Sequence, residues 1–197
     1  MKEHSKQNRI STFIFIPAIA VAVLTGCTST APTAQTSSVA PEVKAETAPA
    51  AKLTLKFIKV DSEETAAEDG KGANAVDGDP NTIWHTQYQD SAAPCPHEIV
   101  IELIPPTTIK GFTYLPRQDD SVNGTIKDYE FYASDDGIDF GQPVSHGTFQ
   151  NDKEKKTVTF APKPCRFVKL KALSEVNDEA WTSAAEIAVV PADWLVV

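Results

Sequence analysis

Asn74-Ala-Val-Asp-Gly-Asp-Pro-Asn-Thr-Ile-Trp-His85 is the stretch around which the rest of the chain is organised. Asp77 and Asp79 alternate like the carboxylates of calcium loops, in which a hard cation takes several oxygen ligands from a flexible backbone. The glycine and the proline beside them are turn residues that let successive carbonyl groups converge. Trp84 is expected to anchor the stretch in the core and to present His85 at its rim. The stretch therefore predicts a loop that holds a metal and faces a ligand, with an ordinary Asp-Gly turn as the alternative.

Length and charge limit what the chain can be. Its 197 residues provide for one ordinary domain with extensions, and 41% of them are hydrophobic, so a real core can form. The formal net charge is −9, which argues against nucleic acid as a partner because such proteins need a basic surface. The same charge argues against docking on anionic lipid.

Residues 1–26 are predicted to be a lipoprotein signal peptide. Basic residues precede the apolar run Phe13–Leu24, which is too short for a comfortable membrane span. The run leads into Leu24-Thr-Gly-Cys27, which resembles the lipobox of bacterial lipoproteins and implies cleavage before Cys27 and its lipidation. The chain is thus expected to be a bacterial membrane lipoprotein, periplasmic or at the cell surface, anchored through its lipid alone. An ordinary secretory signal or an uncleaved anchor is the alternative.

The segment after the signal peptide is expected to be a tether. Residues 27–52 begin with the lipidated cysteine and are rich in Ala, Pro and Thr without hydrophobic periodicity, which predicts a disordered linker. The folded domain is predicted to span residues 53–197. Cys95 and Cys165 form an even pair in an oxidising compartment, which predicts a possible disulfide, with two free buried thiols as the alternative.

Short strands account for the pattern of the domain. Apolar residues alternate with polar ones from Leu53 onward, and turn residues separate the alternating segments. Pro105-Pro106 is expected to break the chain, and no stretch has a sustained helical period. These features predict an antiparallel sandwich or barrel. The predicted strands are 53–57, 98–103, 109–115, 127–133, 157–160, 165–172 and 185–190.

The sequence lacks common hydrolytic motifs. It contains neither Gly-x-Ser-x-Gly nor His-Glu-x-x-His. Acidic residues are plentiful, so a glycosidase carboxylate pair remains an alternative on composition alone. A short β-sandwich on a lipid tether is more typical of a binding protein, and no catalytic residue is predicted. His97 and His146 are interpreted as structural.

An ordered series of motifs carries a resemblance to a known family. Its members are Ala75-x-Asp-Gly-Asp-x-x-Thr-x-Trp-His-Thr86, Pro96-His-x-Ile-x-Ile-x-Leu103, Gly111-Phe-x-Tyr-x-Pro-Arg117-Gln, Asn123-Gly, Tyr129-x-x-Tyr-x-Ser-x-Asp-Gly137, Arg166-Phe-Val-x-Leu170 and Ser183-Ala-Ala-Glu-Ile187. The series, over residues 53–190, resembles the coagulation factor V/VIII type C (discoidin) family, and within it bacterial galactose-binding carbohydrate-binding modules of family 32. The resemblance implies an all-β fold, an eight-stranded antiparallel jelly-roll β-sandwich of the galactose-binding-domain-like type. It also implies a structural calcium and a shallow sugar site on the loops at one end.

Carried across by position, the resemblance implies one calcium shell. Its ligands would be the carbonyl of Asn74, the side chain of Asp77, the carbonyl of Asp79, and Thr82, Ala185 and Glu186. Because Glu186 is far away in sequence, the ion would pin the loop to the end of the sheet. An EF-hand does not fit, since a threonine replaces its required glycine and a tyrosine its bidentate glutamate. The alternative is that Glu186 is an exposed acid at a strand end.

The sugar site implied by the resemblance consists of Glu68, His85, Tyr88, Arg117, Asn123 and Trp181. Galactose or N-acetylgalactosamine offers hydroxyls that an imidazole, a guanidinium and an amide can recognise, and a ring face that suits an aromatic side chain. The aromatic residues could instead serve ordinary packing, His85 could be a structural histidine, and Arg117 could form a surface salt bridge. The loop after Arg117 departs from the family pattern because it contains Asp119 and Asp120.

Together these observations predict a membrane-anchored carbohydrate-binding lipoprotein without catalytic activity. Its expected partner is a glycan that ends in galactose or N-acetylgalactosamine, and its expected cofactor is structural calcium. Two alternatives use the same fold. One is a non-catalytic adhesion or protein-interaction module, and the other is an accessory subunit of a glycosidase.

Overall fold

The computed structural model describes residues 52–193. The predicted signal peptide, the lipidated Cys27, residues 27–51 of the predicted linker and residues 194–197 of the tail lie outside the described residues. No helix in the described part of the chain is long and apolar enough to cross a membrane.

Strands dominate this domain, as predicted. A single turn of 3₁₀ helix, Gly72–Val76, precedes the acidic loop. The strands of residues 52–193 are β1 Thr54–Val60, β2 Trp84–His85, β3 His97–Leu115, β4 Asp128–Ser134, β5 Ser145–Thr148, β6 Lys156–Ala172, β7 Ser183–Ala184 and β8 Glu186–Pro191. All named pairs are antiparallel, which confirms the predicted all-β antiparallel class.

Two long strands, β3 and β6, connect both layers of the sandwich. The first half of β3 pairs with β1 and with the second half of β6, whereas its second half pairs with β8 and with the first half of β6. The register is interrupted between Glu102 and Thr107. The predicted break at Pro105-Pro106 is therefore wrong, because β3 continues through it. A proline lacks the N–H that a ladder needs, and an exposed irregularity of the register is where strands tolerate it.

The core lies between the two layers. Phe112, from the second half of β3, stacks on Phe131 of β4 with ring centroids 4.0 Å apart and an interplanar angle of 2°. Tyr129 of β4 and Phe149 stack beside them at 4.2 Å. Trp84 is 1% exposed and donates from Nε1 to the carbonyl of Ser62 at 2.9 Å, which confirms its prediction as a core anchor.

The predicted disulfide is wrong, because Cys95 and Cys165 are both free. Cys165 pairs with Thr107 near the middle of β3, whereas the chain just after Cys95 enters β3 where His97 pairs with Ala172. Residues 165 and 172 lie on one extended strand, so the two cysteines are separated by roughly 20 Å. A disulfide needs Cα atoms within about 7 Å.

The short pair β2 and β7 brings distant loops to one end of the sandwich. Trp84 pairs with Ala184 and His85 with Ser183. Ser183 in turn donates from its N–H to the carbonyl of Gly124 at 2.7 Å. The segments near residues 85, 124 and 183 therefore meet at this end, although they are far apart in sequence.

Candidate ligand-binding site

An open pocket of about 220 Å³ lies between the loops at this end and is named here the loop-end pocket. The structure brings together in it all six side chains that the sequence analysis assigned to a sugar site. Its lining consists of Glu68, His85, Tyr88, Arg117, Asn123 and Trp181, with Ser121 in addition. Ser121 was not predicted, and its hydroxyl accepts from the main-chain N–H of Asn123 at 3.1 Å.

His85 is held as a neutral imidazole. It is 3% exposed, and its Nδ1 lies 2.7 Å from the carbonyl oxygen of Thr86. A carbonyl can only accept, so Nδ1 carries the proton and Nε2 is the acceptor of the neutral ring. Burial lowers the pKa of His85, which favours this neutral form at pH 7.

Tyr88 and Trp181 both lie close to this imidazole. The Tyr88 ring meets the His85 ring edge to face with centroids 5.0 Å apart, and the Trp181 ring lies 6.5 Å away at a tilt of 46°. Trp181 Nε1 is buried without a hydrogen-bond partner in the described part of the chain. Burial, and then the carboxylate of Glu68, raise the pKa of the Tyr88 hydroxyl. The pocket thus combines aromatic surface with a donor and an acceptor.

Arg117 is fixed by its own loop. Its Nε donates to Asp119 Oδ1 at 2.7 Å, its Nη2 to Asp119 Oδ2 at 2.5 Å, and its Nη1 to the carbonyl of Asn123 at 3.3 Å. The paired carboxylate raises the pKa of this guanidinium. The fork geometry orients the plane of the side chain, which is 8% exposed. Asp119, which the sequence analysis noted only as a departure from the family pattern, is therefore a positioning residue.

Lys153 stabilises the same loop through its ammonium group. Its Nζ donates to the carbonyl oxygens of Arg117 at 3.1 Å, of Asp119 at 2.9 Å and of Ser121. An ammonium has three donors, and three carbonyls take them. Lys153 was not predicted, because it lies in a distant segment with no recognisable motif.

Glu64 organises the loops that carry Glu68 and Tyr88. Its Oε1 accepts from the N–H groups of Ala66 at 2.8 Å and Ala67 at 3.0 Å, and its Oε2 from those of Tyr88 and Gln89, both at 2.9 Å. These amides, with that of Tyr88 contributing most, lower the pKa of Glu64 to about 2. One buried carboxylate thus joins two loops of the pocket.

Glu175 has a similar role on the other side. It is fully buried and accepts from the N–H groups of Asn177 at 2.6 Å, Glu179 at 3.2 Å and Gly124 at 3.2 Å. Gly124 has a φ of +81°, and a Cβ there would meet the Ser183 nitrogen at 2.7 Å, so only glycine fits this close approach. Glu175 therefore ties the Trp181 loop to the Asn123 loop.

His97 connects the sheet to the Trp181 loop. Its Nδ1 lies 2.7 Å from Asp61 Oδ2, and its Nε2 lies 2.8 Å from the carbonyl of Ala180 and 3.1 Å from that of Ala93. All these partners accept, so both ring nitrogens donate only when the ring is protonated. Burial acts to lower the pKa of His97, but the hydrogen bonds, with that of Asp61 strongest, raise it overall. The interpretation as a structural histidine stands, with the added feature that its hydrogen-bond partners favour the protonated ring.

The acidic loop after the 3₁₀ helix has its own geometry. Asp77 Oδ1 accepts from the Asp79 N–H at 2.8 Å, and the Thr82 hydroxyl lies 2.8 Å from Asp77 Oδ2 and 3.0 Å from the Asp79 carbonyl. Glu186 Oε1 is buried and has no hydrogen-bond partner within residues 52–193. Burial raises the pKa of Glu186, and the nearby carboxylates Asp77 and Asp79 raise it further.

Glu186 is thus half-buried beside the loop, in contrast to the alternative of an exposed acid. The side chain of Asn74 donates from Nδ2 to the carbonyls of Asp69 at 2.7 Å and Ile83 at 3.0 Å, which closes the loop on itself. Within residues 52–193, no three His, Cys, Asp or Glu side chains converge as a metal cluster. The ligand set implied by the resemblance differs from such a cluster, because it draws most of its oxygens from the main chain.

The fold and this pocket define a class: a β-sandwich that carries a ligand site on the loops at one end. Residues 58–187 match the family model of the F5/8 type C domain, so the chain belongs to that family. A sialidase of Micromonospora viridifaciens is 40% identical over 136 residues, which make up 68% of this chain and 21% of that protein. The chain therefore corresponds to about a fifth of that relative's length.

Two solved structures from Clostridium perfringens share the fold. CpGH89CBM32-5, in complex with GalNAc-β-1,3-galactose, has a TM-score of 0.62 and 35% identity, over 70% of this chain and 94% of that one. The family 32 CBM of NanJ, in complex with galactose, has a TM-score of 0.57 and 29% identity, over 70% of this chain and 92% of that one. The expected galactose-binding-like sandwich is thereby confirmed.

Replacing Glu64 by glutamine is expected to destabilise the domain by several degrees in melting temperature. The substitution removes the charge and replaces one acceptor oxygen with an NH₂ group. This group is a donor and cannot accept from the main-chain amides. Because folding lowers this pKa from 4.5 to about 2, the stabilisation is complete above pH 4.5 and disappears as the pH falls toward 2. Melting curves of the wild type and Glu64→Gln should therefore converge between these values, whereas the exposed control Glu154→Gln should match the wild type throughout.

Protonation of His97 should make the free energy of unfolding depend on pH in the direction opposite to that described for Glu64. Its pKa is raised above 6.5 in the folded protein, so the stabilisation is fully present below pH 6.5 and is lost as the pH rises through the folded value. Urea unfolding at pH 6 and pH 9 should show this loss in the wild type and not in His97→Gln. The exposed His146→Gln should behave as the wild type. A directly measured imidazole pKa below 6.5 would contradict the assignment.

Proposed function

We propose that this domain binds glycans that end in galactose or N-acetylgalactosamine and that it has no catalytic role. The observation that carries the proposal is the convergence of a neutral His85, an oriented Arg117 and two aromatic rings on one shallow pocket. A pocket of about 220 Å³ suits a single sugar unit better than an extended ligand. The complexes of the two Clostridium modules with galactose and GalNAc-β-1,3-galactose support the same ligand class.

Each side chain has a defined task in this proposal. His85 Nε2 accepts from a sugar hydroxyl, and the guanidinium of Arg117 donates to another, at no cost in ordering because Asp119 already holds it. Tyr88 or Trp181 covers the apolar face of the pyranose, while Glu68 and Asn123 complete the polar rim. Since the pocket is open, affinity should be weak, roughly micromolar to millimolar or about −8 to −4 kcal/mol.

The proposal includes a structural calcium in the acidic loop. The buried Glu186 Oε1 beside Asp77 has no hydrogen-bond partner within residues 52–193, and a cation there would offset the cost of burying this oxygen. Asp77 and Glu186 would supply charge, and the main chain of Asn74, Asp79, Thr82 and Ala185 would supply neutral oxygens, a donor set of the hard type that calcium prefers. Bound there, the ion would supply no chemistry beyond holding the loop to β8.

Attachment to a bacterial membrane through the lipidated Cys27, either periplasmic or at the cell surface, completes the proposal. Many copies on one membrane would raise the avidity of a weak site for a multivalent glycan. A role as accessory subunit of a glycosidase is the second candidate. It is favoured by the match to a sialidase in which the corresponding region is 21% of the protein.

Removal of a pocket side chain should abolish most binding without unfolding the domain. His85→Ala and Trp181→Ala are each expected to weaken methyl β-galactoside binding at least about tenfold, because each loses a hydrogen bond or stacking partner in a small site. Isothermal titration calorimetry measures this, and melting curves report on the fold. His146→Ala is the matched control for the histidine, since it is exposed on β5 and does not line the pocket. Unchanged affinity in both pocket variants would contradict the site.

Chelation of calcium should lower the melting temperature of the wild type by about 5 °C or more. A ligand at 100 times its Kd stabilises the folded state by about 2.7 kcal/mol, which corresponds to such a shift in a domain of this size. Glu186→Gln should lose most of the calcium-dependent shift, and Glu154→Gln should keep it. An EDTA-insensitive melting temperature in the wild type would remove calcium from the proposal and leave the sugar site in place.

A further inference from the structure

A second pocket adjoins the loop-end pocket and is named here the side pocket. It has a volume of about 370 Å³ and lies between the end of the acidic loop, Pro80–Ile83, and the loop residues Gln118 and Asp119. Glu68 lines both pockets, and the bidentate pair of Arg117 and Asp119 has one member in each. A ligand in the loop-end pocket that continues past this shared wall would enter the side pocket directly.

The side pocket borders the proposed calcium shell, because Asn74 and Thr82 belong to both. Neither Asp77 nor Glu186, which would carry the charge of that shell, lines the side pocket. Its apolar lining is limited to Pro80 and Ile83, and no aromatic side chain contributes. Most of its lining residues are polar, so the side pocket offers hydrogen-bond partners to hydroxyl groups but no aromatic ring for stacking.

Hydrogen bonds within the protein already use most of its donors. Both hydrogens of Asn74 Nδ2 are directed at main-chain carbonyls, those of Asp69 and Ile83. Both hydrogens of Gln118 Nε2 are likewise directed at the carbonyls of Pro116 at 2.7 Å and Lys153 at 3.1 Å. The amide oxygens of Asn74 and Gln118 remain as acceptors. A ligand here has to bring its own donors.

The charges of the lining also favour an uncharged ligand that supplies hydrogen-bond donors. Glu68, Asp69 and Asp119 are its ionisable side chains, and no basic residue lines it. Asp119 is neutralised by Arg117, and Asp69 forms an exposed ion pair with Lys71 at 2.8 Å, which leaves the Glu68 carboxylate on the shared wall. An anionic ligand would meet repulsion and acceptor oxygens without matching donors.

We propose that the side pocket binds the second sugar of a glycan, that this sugar is uncharged, and that an acidic group on it is rejected. The inference rests on the proposed function, because the terminal sugar must occupy the loop-end pocket. Small-molecule sites usually have roughly 300–1,000 Å³; the loop-end pocket alone is smaller, and a ligand that occupied both pockets would fill a volume within that range. Hydroxyl and N-acetyl N–H groups supply the donors that the lining of the side pocket lacks.

Calorimetry with saturating calcium tests the inference on the full folded domain. Methyl β-galactoside occupies the loop-end pocket alone, and β-1,3- and β-1,4-linked disaccharides of galactose on glucose or N-acetylglucosamine extend beyond it. At least one neutral disaccharide is expected to bind about tenfold more tightly than the methyl galactoside, through two or so added hydrogen bonds. The same disaccharide with a 6-sulfate on its second sugar is expected to lose that gain.

Two variants separate the pockets. Asn81→Trp fills the side pocket at its exposed rim and should abolish the gain for the disaccharide while the affinity for methyl galactoside stays within about twofold. Asp69→Asn releases the ammonium of Lys71 from its ion pair and makes the lining one unit less negative, so it should improve binding of the sulfated disaccharide about two- to threefold. Asp135→Asn, which makes the same charge change beyond the far end of β4, should leave it unaltered.

The outcomes distinguish the two proposals. If methyl galactoside binds and every neutral disaccharide binds equally, the side pocket has no role and the proposed function stands. A sulfated disaccharide that binds as tightly as its neutral parent overturns the rejection of acidic sugars. If methyl galactoside itself fails to bind at millimolar concentration, the proposed function is overturned and the inference with it.

Discussion

The binding end of this domain depends on buried carboxylates that accept main-chain amides. Glu64 binds four N–H groups from two separate loops, and Glu175 joins the turn after β6 to the segment that contains Gly124. Loops of this kind have no strand partners, so their amides would be left to solvent without these acceptors. Charged acceptors make stronger hydrogen bonds than neutral ones, which lets a single side chain fix several residues. The pocket is shaped by these remote acids before any ligand enters it.

Arg117 is likewise held in place by neighbouring residues. Its guanidinium is oriented by Asp119, and the loop that carries both is held by the ammonium of Lys153. An oriented arginine loses little freedom on binding, so its hydrogen bonds contribute more of their energy to affinity. The conformational entropy of the arginine side chain is lost during folding, when its neighbours fix it, and not on ligand binding. This arrangement fixes the orientation of the guanidinium in a small, open pocket.

Particular residues show how far sequence reasoning reached. The alternating pattern of 127–133 and 109–115 predicted β4 and the second half of β3, because half-buried strands place apolar residues at every second position. The two-residue strands β2 and β7 were missed, since a pair so short has no period. Pro105-Pro106 was interpreted as a break because local rules cannot reveal that the ladder skips these residues. Cys95 and Cys165 were predicted to pair because two cysteines remain in an oxidising compartment. The register of β3 on β6 places them far apart.

The sequence by itself determined the fold class, the family and the identities of the six pocket side chains, because motif order and residue type survive without coordinates. Only the tertiary structure decided how those side chains are held: the tautomer of His85, the pairing of Arg117, and the remote roles of Glu64, Glu175, His97 and Lys153. It also produced the side pocket, whose walls come from two distant loops. Such features depend on contacts between segments far apart in the chain, and a linear pattern does not encode which segments meet. The loop Asn74–His85 illustrates both parts. Its motif, and through the resemblance its relation to Glu186, could be predicted from the sequence, whereas the burial of Glu186 and its proximity to Asp77 came from the fold.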